Sequence, residues 1–226
     1  MKTGFNILTI TIIGCLSATT LLAQTITRTL ESKIGLELVN VQVDVVEHMH
    51  KKGIQVTKAS DDIEGETLVI ISGITFANGT ISLELTGEPA ADAAPTMRGF
   101  VGLAFHLNPE DNAKYDCFYL RPTNARADNQ LLRNHTTQYI SHPEYPWHAL
   151  RKESPGLYES YVDVVPGEWT KIKIEIDGKN GRLFLHGNDQ PCLIINDLKG
   201  QDSGKIALWM HSSTKARFRN LQVTSN

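Results

Sequence analysis

Short runs in which apolar and polar residues alternate dominate this chain. Val39 to Glu47 (VNVQVDVVE) sets Val39, Val41, Val43 and Val45 on one side. Gly79 to Gly87 (GTISLELTG) sets Ile81, Leu83 and Leu85 against Thr80, Ser82 and Glu84. GFVGLAFHL alternates Val101, Leu103 and Phe105 with Gly102, Ala104 and His106, and TKIKIEIDG alternates Ile172, Ile174 and Ile176 with Lys171, Lys173 and Glu175. GRLFLHG, GKIALWMH and ARFRNLQVT follow in the same style. A period of two, punctuated by Gly, Asn and Asp, predicts half-buried antiparallel strands. IEIDGKNGRLFL predicts a hairpin turning within Asp177-Gly178-Lys179-Asn180-Gly181.

Helical periodicity is scarce. Leu30 to Leu38 offers a short helix at most. Many short strands and few helices predict an all-β fold of two packed antiparallel sheets. Gly87 to Met97 (GEPAADAAPTM) reads as a loop joining two strands, because neither side of it carries a complete strand set. The expected organisation is one β-sandwich domain over residues 24–226, preceded by a signal peptide at 1–23.

The leader reading rests on Lys2, an apolar Ile7–Ala23 run diluted by Thr and Ser, and a small residue at Ala23. Its alternatives are a membrane anchor, for which the run is short, and a lipoprotein acylated at Cys15. The expected location is therefore outside the cytoplasm, secreted or periplasmic, with no transmembrane segment once the leader is removed. The 226-residue chain has a net charge of -3. Without Lys2 its basic residues number 21 against 25 acidic ones, a balance that argues against a nucleic-acid partner. Cys117 and Cys192 then form either one disulfide or two free thiols. A bond would close a loop of about 75 residues and stabilise by roughly 3–5 kcal/mol.

FANGTISLELTG, GFVGLAFHL, YDCFYLRP, GEWTKIKIEIDGKNGRLFLHG and SGKIALWMHSSTKARFRNLQV, in that order, resemble the concanavalin A-like jelly-rolls of the lectin/glucanase and laminin-G superfamily. The closing segment is also similar to secreted 3-keto-disaccharide hydrolase domains. The resemblance spans roughly residues 60–226 and implies a two-sheet jelly-roll, one outer face of which is concave and is the usual binding surface. It does not imply an activity, since the fold hosts lectins, adhesion modules and hydrolases.

Signatures of catalysis are weak. Glucanases of this superfamily carry Glu-x-Asp-x-x-Glu on one strand. The nearest match, Glu175-Ile176-Asp177-Gly178-Lys179-Asn180, ends in Asn and falls on the hairpin turn. No Gly-x-Ser-x-Gly elbow and no phosphate-binding Gly-rich loop is present. His48 and His50 would share a strand face but lack a third metal ligand, and His135, His142 and His148 fit no zinc spacing. No cofactor is expected. A structural calcium is conceivable only through the acidic loops ASDDIEGE and NPEDN.

Tyr115 to Tyr161 carries more chemistry. Alternation in YDCFYLRP places Phe118 and Leu120 toward the core and Tyr119 and Arg121 on the outer face. Asn124, Gln130, Arg133, His135 and Gln138 follow as directional hydrogen-bonding groups. Tyr139, Tyr145 and Trp147, with His142 and Arg151, then occupy a stretch that shows no regular period and reads as a loop. Such residues are unusual on a surface loop, and aromatic faces suit the apolar side of a sugar ring. The leading expectation is carbohydrate binding there. A glycan-active enzyme would need Glu159, with Glu144 or Glu153 as partner and His135 as acid/base, on the same face. A laminin-G-like interaction module would show an apolar patch and no pocket.

Overall fold

The computed structural model describes residues 24–60, 62 and 64–226, so the leader and Cys15 lie outside the described residues. Fifteen strands form two antiparallel sheets. One sheet comprises β1 (Gln24–Arg28), β3 (Val41–His48), β4 (Lys51–Lys58), β6 (Gly79–Pro89), β11 (Thr170–Asp177), β12 (Asn180–Leu185), β13 (Leu193–Ile195) and β15 (Thr214–Ser225). Its order is β13-β12-β11-β6-β15-β4-β3, and β1 also pairs with β15. The other comprises β2 (Leu36–Val39), β5 (Leu68–Ile71), β7 (Val101–Leu107), β8 (Tyr115–Leu120), β9 (Thr137–His142), β10 (Glu159–Ser160) and β14 (Lys205–Met210), ordered β10-β9-β8-β7-β14-β5-β2. Three short helices, α1 (Pro122–Ala125), α2 (Gln130–Asn134) and α3 (Trp147–Glu153), lie between β8 and β10.

The predicted alternation builds the interior. Ile81, Leu83 and Leu85 of β6 lie beside Ile174, Ile172 and Thr170 of β11, all buried. Leu103 and Phe105 of β7 and Phe118 of β8 face them from the second sheet, where Phe118 lies against Gly181 of β12. β15 would lose phase between Phe218 and Leu221, which are three apart. A bulge there, with Asn220 at φ 52°, adds the residue that keeps both side chains buried. The predicted hairpin is tight, since Asp177 pairs directly with Asn180.

Several expectations are corrected. Val39–Glu47 is not one strand. Asn40, at φ 58°, breaks it, so Val39 ends β2 in one sheet while Val41 begins β3 in the other, and Val45 is exposed. An Asn tolerates this left-handed turn, and its side-chain amide donates to the Glu66 and Glu64 carbonyls at 2.9 and 3.3 Å. Leu30–Leu38 is turn and strand, not helix. His48 and His50 do not share a face, because His50 sits in the β3–β4 turn at φ 61° while His48 Nε2 lies 2.7 Å from the Gly167 carbonyl. The stretch read as a loop contains β9 and α3.

Cys117 and Cys192 are unpaired. Cys117 alternates with the inward Phe118 and so points away from the space between the sheets, whereas Cys192 donates to Leu183 on the opposite sheet. A bond would have to pass through the seven-stranded sheet.

Beneath that sheet lies a buried polar knot. The Asp116 carboxylate is fully enclosed. It accepts from the Tyr139 hydroxyl at 2.6 Å and from the Gly200 amide at 3.1 Å, and His106 Nδ1 stands 3.2 Å away. The Lys199 amide donates to the Tyr139 oxygen, and Gln201 donates to the His106 carbonyl. A Cβ on Gly200 would come within 2.5 Å of the carboxylate.

Three outcomes are expected. Asp116→Ala strands three buried polar partners and lowers unfolding stability by roughly 3 kcal/mol or more in urea titrations. Gly200→Ala lowers it as well, by steric intrusion on the same carboxylate. Thiol titration of the denatured, unreduced protein yields one reactive group each for Cys117 and Cys192; a blocked pair would show a bond.

Candidate functional site

The outer face of the seven-stranded sheet is where the aromatic and charged residues collect. In register across it run Tyr119 of β8, Gly102 of β7 and Trp209 of β14. Any side chain at 102 would strike Tyr119, its Cβ lying 2.6 Å from that of Tyr119. The two rings close over the glycine instead, 4.9 Å between centroids. This pair forms the floor of a cavity of about 280 Å³, also lined by Glu66, Phe100, Ile140, His142, Trp147 and His211.

Glu66 is fixed in that wall. It accepts from the Tyr115 hydroxyl, which in turn accepts from Trp209 Nε1 at 3.0 Å, and its other oxygen lies 3.4 Å from His142 Nδ1. His142 stacks on Tyr115 at 5.2 Å. Burial raises the Glu66 carboxyl, but the bonds from His142 and Tyr115 outweigh it and hold the group below the usual carboxylate range. Glu66 is therefore an ionised acceptor beside an aromatic floor.

Phe100 and Trp147 also line a second cavity of about 190 Å³, with Arg98, Arg121, Asn124, Leu132, His135 and Arg151. Arg121 is 5% exposed. It donates to Tyr119 Oη (2.7 Å), to the His135 carbonyl (2.9 Å) and through both terminal nitrogens to Gln138 Oε1 (3.2 and 3.3 Å). Its guanidinium carbon lies 4.9 Å from the Tyr119 centroid and 5.9 Å from that of Trp147. Burial pulls it below its ordinary pKa, and the nearby Arg151 adds to the pull.

A third cavity, about 610 Å³, continues from His135 and Arg151 past Leu131, Asn134, Glu159, Ser160 and Tyr161. Arg151 clamps both oxygens of Glu159, at 3.1 and 2.6 Å, and packs over Trp147. His135 Nδ1 meets the same carboxylate at 2.8 Å but off the line of a hydrogen bond. Burial lowers the His135 pKa, against the attraction of Glu159.

The sequence-derived set divides accordingly. Tyr119, Arg121, Asn124, His135, His142, Trp147 and Arg151 line the connected cavities. Gln138 lies behind Arg121, fully buried, and donates to the Tyr139 and Tyr158 carbonyls. Arg133 is at the rim, donating to Tyr161. Gln130 is exposed on α2 and binds only Asn134. Tyr139 belongs elsewhere: it pairs with Phe118 and so faces the inter-sheet side, at Asp116. Tyr145 lies with it, under Lys199 rather than over the cavities. Glu144 and Glu153 are exposed, and neither shares a cavity with Glu159.

Glu66, Arg98, Phe100, Trp209 and His211 were missed. GKIALWMH did carry a signal for Trp209, because Ile206, Leu208 and Met210 take one face and leave the indole for the other. Glu66 closes the acidic ASDDIEGE run, whose Asp61 and Ile63 lie outside the described residues. In NPEDN, Asn108 and Asp111 spend side-chain oxygens on the loop's own amides. No cluster of three His, Cys, Asp or Glu side chains suited to a metal occurs among the described residues.

No family model matches the chain, and no curated protein resembles it closely in sequence. Solved structures do resemble it in shape. Carbohydrate-binding module CBM66 from Bacillus subtilis is 14% identical at a TM-score of 0.55, covering 84% of this chain and 95% of that one. A protein of unknown function with a galectin-like fold from Bacillus subtilis is 12% identical at 0.53, covering 91% and 100%. The Bacillus licheniformis beta-glucanase is 10% identical at 0.50, covering 89% and 98%. Identities this low carry fold alone, and the fold is the concanavalin A-like jelly-roll.

Proposed function

We propose that this protein is an exported carbohydrate-binding domain that holds a glycan along the connected cavities of its seven-stranded sheet. The observation that carries this reading is the half-exposed Trp147, which shares a cavity with the largely buried Tyr119–Trp209 pair and the ionised Glu66. A sugar ring has an apolar C–H face, which stacks on indole and phenol rings, and an edge of hydroxyls, which a fixed carboxylate and imidazoles accept from or donate to. Trp147 is 45% exposed at the head of α3, so it stands where an incoming ring meets it first. The likeness to a carbohydrate-binding module supports the same reading.

Binding without turnover is favoured over hydrolysis by the acids themselves. A glycosidase of the usual kind needs two carboxyl groups flanking the bond, roughly 5–10 Å apart. Glu159 is the one acid lining its cavity among the described residues, and Arg151 occupies both its oxygens. The interaction-module alternative expected no pocket, whereas three cavities with shared lining residues lie here. Among the described residues no helix is long and apolar enough to cross a membrane. Export remains part of the proposal and rests on the leader-like residues 1–23.

The test is a polysaccharide panel read for both retention and product release. Retention of at least one glycan, with no new reducing ends, is expected. Trp147→Ala lowers that affinity about 10- to 30-fold, the cost of losing an aromatic anchor, while the melting temperature stays within about 1 °C because the indole is half exposed. Reducing ends released by the wild type, or a Trp147→Ala variant that binds normally, overturns the reading.

A further inference from the structure

Positive charge accumulates in the 190 Å³ cavity without compensation. Arg98, Arg121 and Arg151 line it, and Glu159, bound by Arg151, is the single carboxylate beside them among the described residues. That leaves two surplus guanidinium charges at one spot in a chain whose net charge is -3. Arg98 hydrogen-bonds only the Pro95 and Met97 carbonyls. Among the described residues Arg121 forms four bonds, every one to a neutral oxygen, and no ion pair.

Arg121 is the unusual case. Buried charges are ordinarily paired, because removing an ion from water costs several kcal/mol that only a counter-ion or a full set of hydrogen bonds offsets. A surface arginine would have served equally well to fill space. Here the chain holds a guanidinium near Trp147 and Phe100, beside a second one at Arg151, and the nearby acid, Glu159, is already clamped by Arg151. One further buried group at the cavity, Asn124 Oδ1, has no hydrogen-bond partner among the described residues.

We infer that the glycan recognised here is acidic: its ring stacks at Trp147 and Trp209, and an oxyanion substituent, carboxylate or sulfate, enters between Arg98 and Arg121. This rests on the carbohydrate reading above and sharpens it. The guanidinium fork matches either oxyanion. Glu66, ionised in the wall of the adjoining cavity, repels the anion from that end and accepts hydroxyls instead. The two cavities thus orient the sugar, hydroxyl edge toward Glu66 and acid group toward the arginines.

Titration of the full-length protein by tryptophan fluorescence tests this directly, since Trp147 and Trp209 border the site. The probes are galacturonate and glucuronate, galactose 6-sulfate, and neutral galactose and glucose. At least one acidic sugar is expected to bind tenfold or more tighter than its neutral parent, and raising the salt weakens it. The uronate and sulfate arms say which oxyanion is preferred. Arg98→Ala removes that preference at least tenfold. Arg98→Lys restores part of it, which a merely structural role would not. Equal affinity for acidic and neutral sugars, abolished by Trp147→Ala, overturns this inference and keeps the binding reading. No response to any sugar overturns both.

Discussion

One buried carboxylate sets the position of almost everything described above. Asp116 lies inside the sandwich, where a charge without partners would be intolerable, and it gathers partners from three separate segments: His106 at the end of β7, Tyr139 of β9 and the amide of Gly200. Those bonds tie β7, β8 and β9 to the 197–204 loop that closes the sandwich below them. Because strands alternate, fixing Asp116 and Tyr139 on the inner side fixes their neighbours on the outer side. Cys117, Gln138 and Ile140 have no freedom left, and Gln138 in turn seats Arg121. The site is held from underneath.

This also explains which parts were legible in the sequence. Strands with one wet face announce themselves, as β6 and β11 do, because polarity tracks orientation. β9 does not. Its inner face carries Tyr139 and Ser141 for the polar knot, and its outer face carries Gln138 and Ile140 beneath the segment that includes α3, so both faces mix polar and apolar groups and the period vanishes. Tyr139 was assigned to the site by chemistry and belongs to the interior by register. The break at Asn40 was hidden for a different reason: a left-handed Asn does not interrupt an apolar count, so two strands in two sheets read as one.

The site residues drawn from the middle of the chain were found because they are crowded in sequence. Those that were missed arrive from distant strands: Trp209 from β14, Glu66 from the segment before β5, and Arg98 and Phe100 from the approach to β7. No local pattern joins them, since it is hydrogen-bonded sheet order, not chain order, that makes β7, β8 and β14 neighbours. The acid at 66 lines one cavity and the arginines at 98 and 121 line another, with Phe100 and Trp147 common to both, so two neighbouring aromatic cavities carry opposite charge.

Gly102 has a consequence that reaches beyond packing. The platform on which a ligand ring would lie exists because one strand contributes no side chain between two aromatic ones, whose rings meet at 36°. Its breadth and tilt are thus properties of an atom that is missing, at a position no ligand touches. Binding preference in such a protein can drift through a residue lying under the recognition surface, and a comparison of contact residues alone would not register the change.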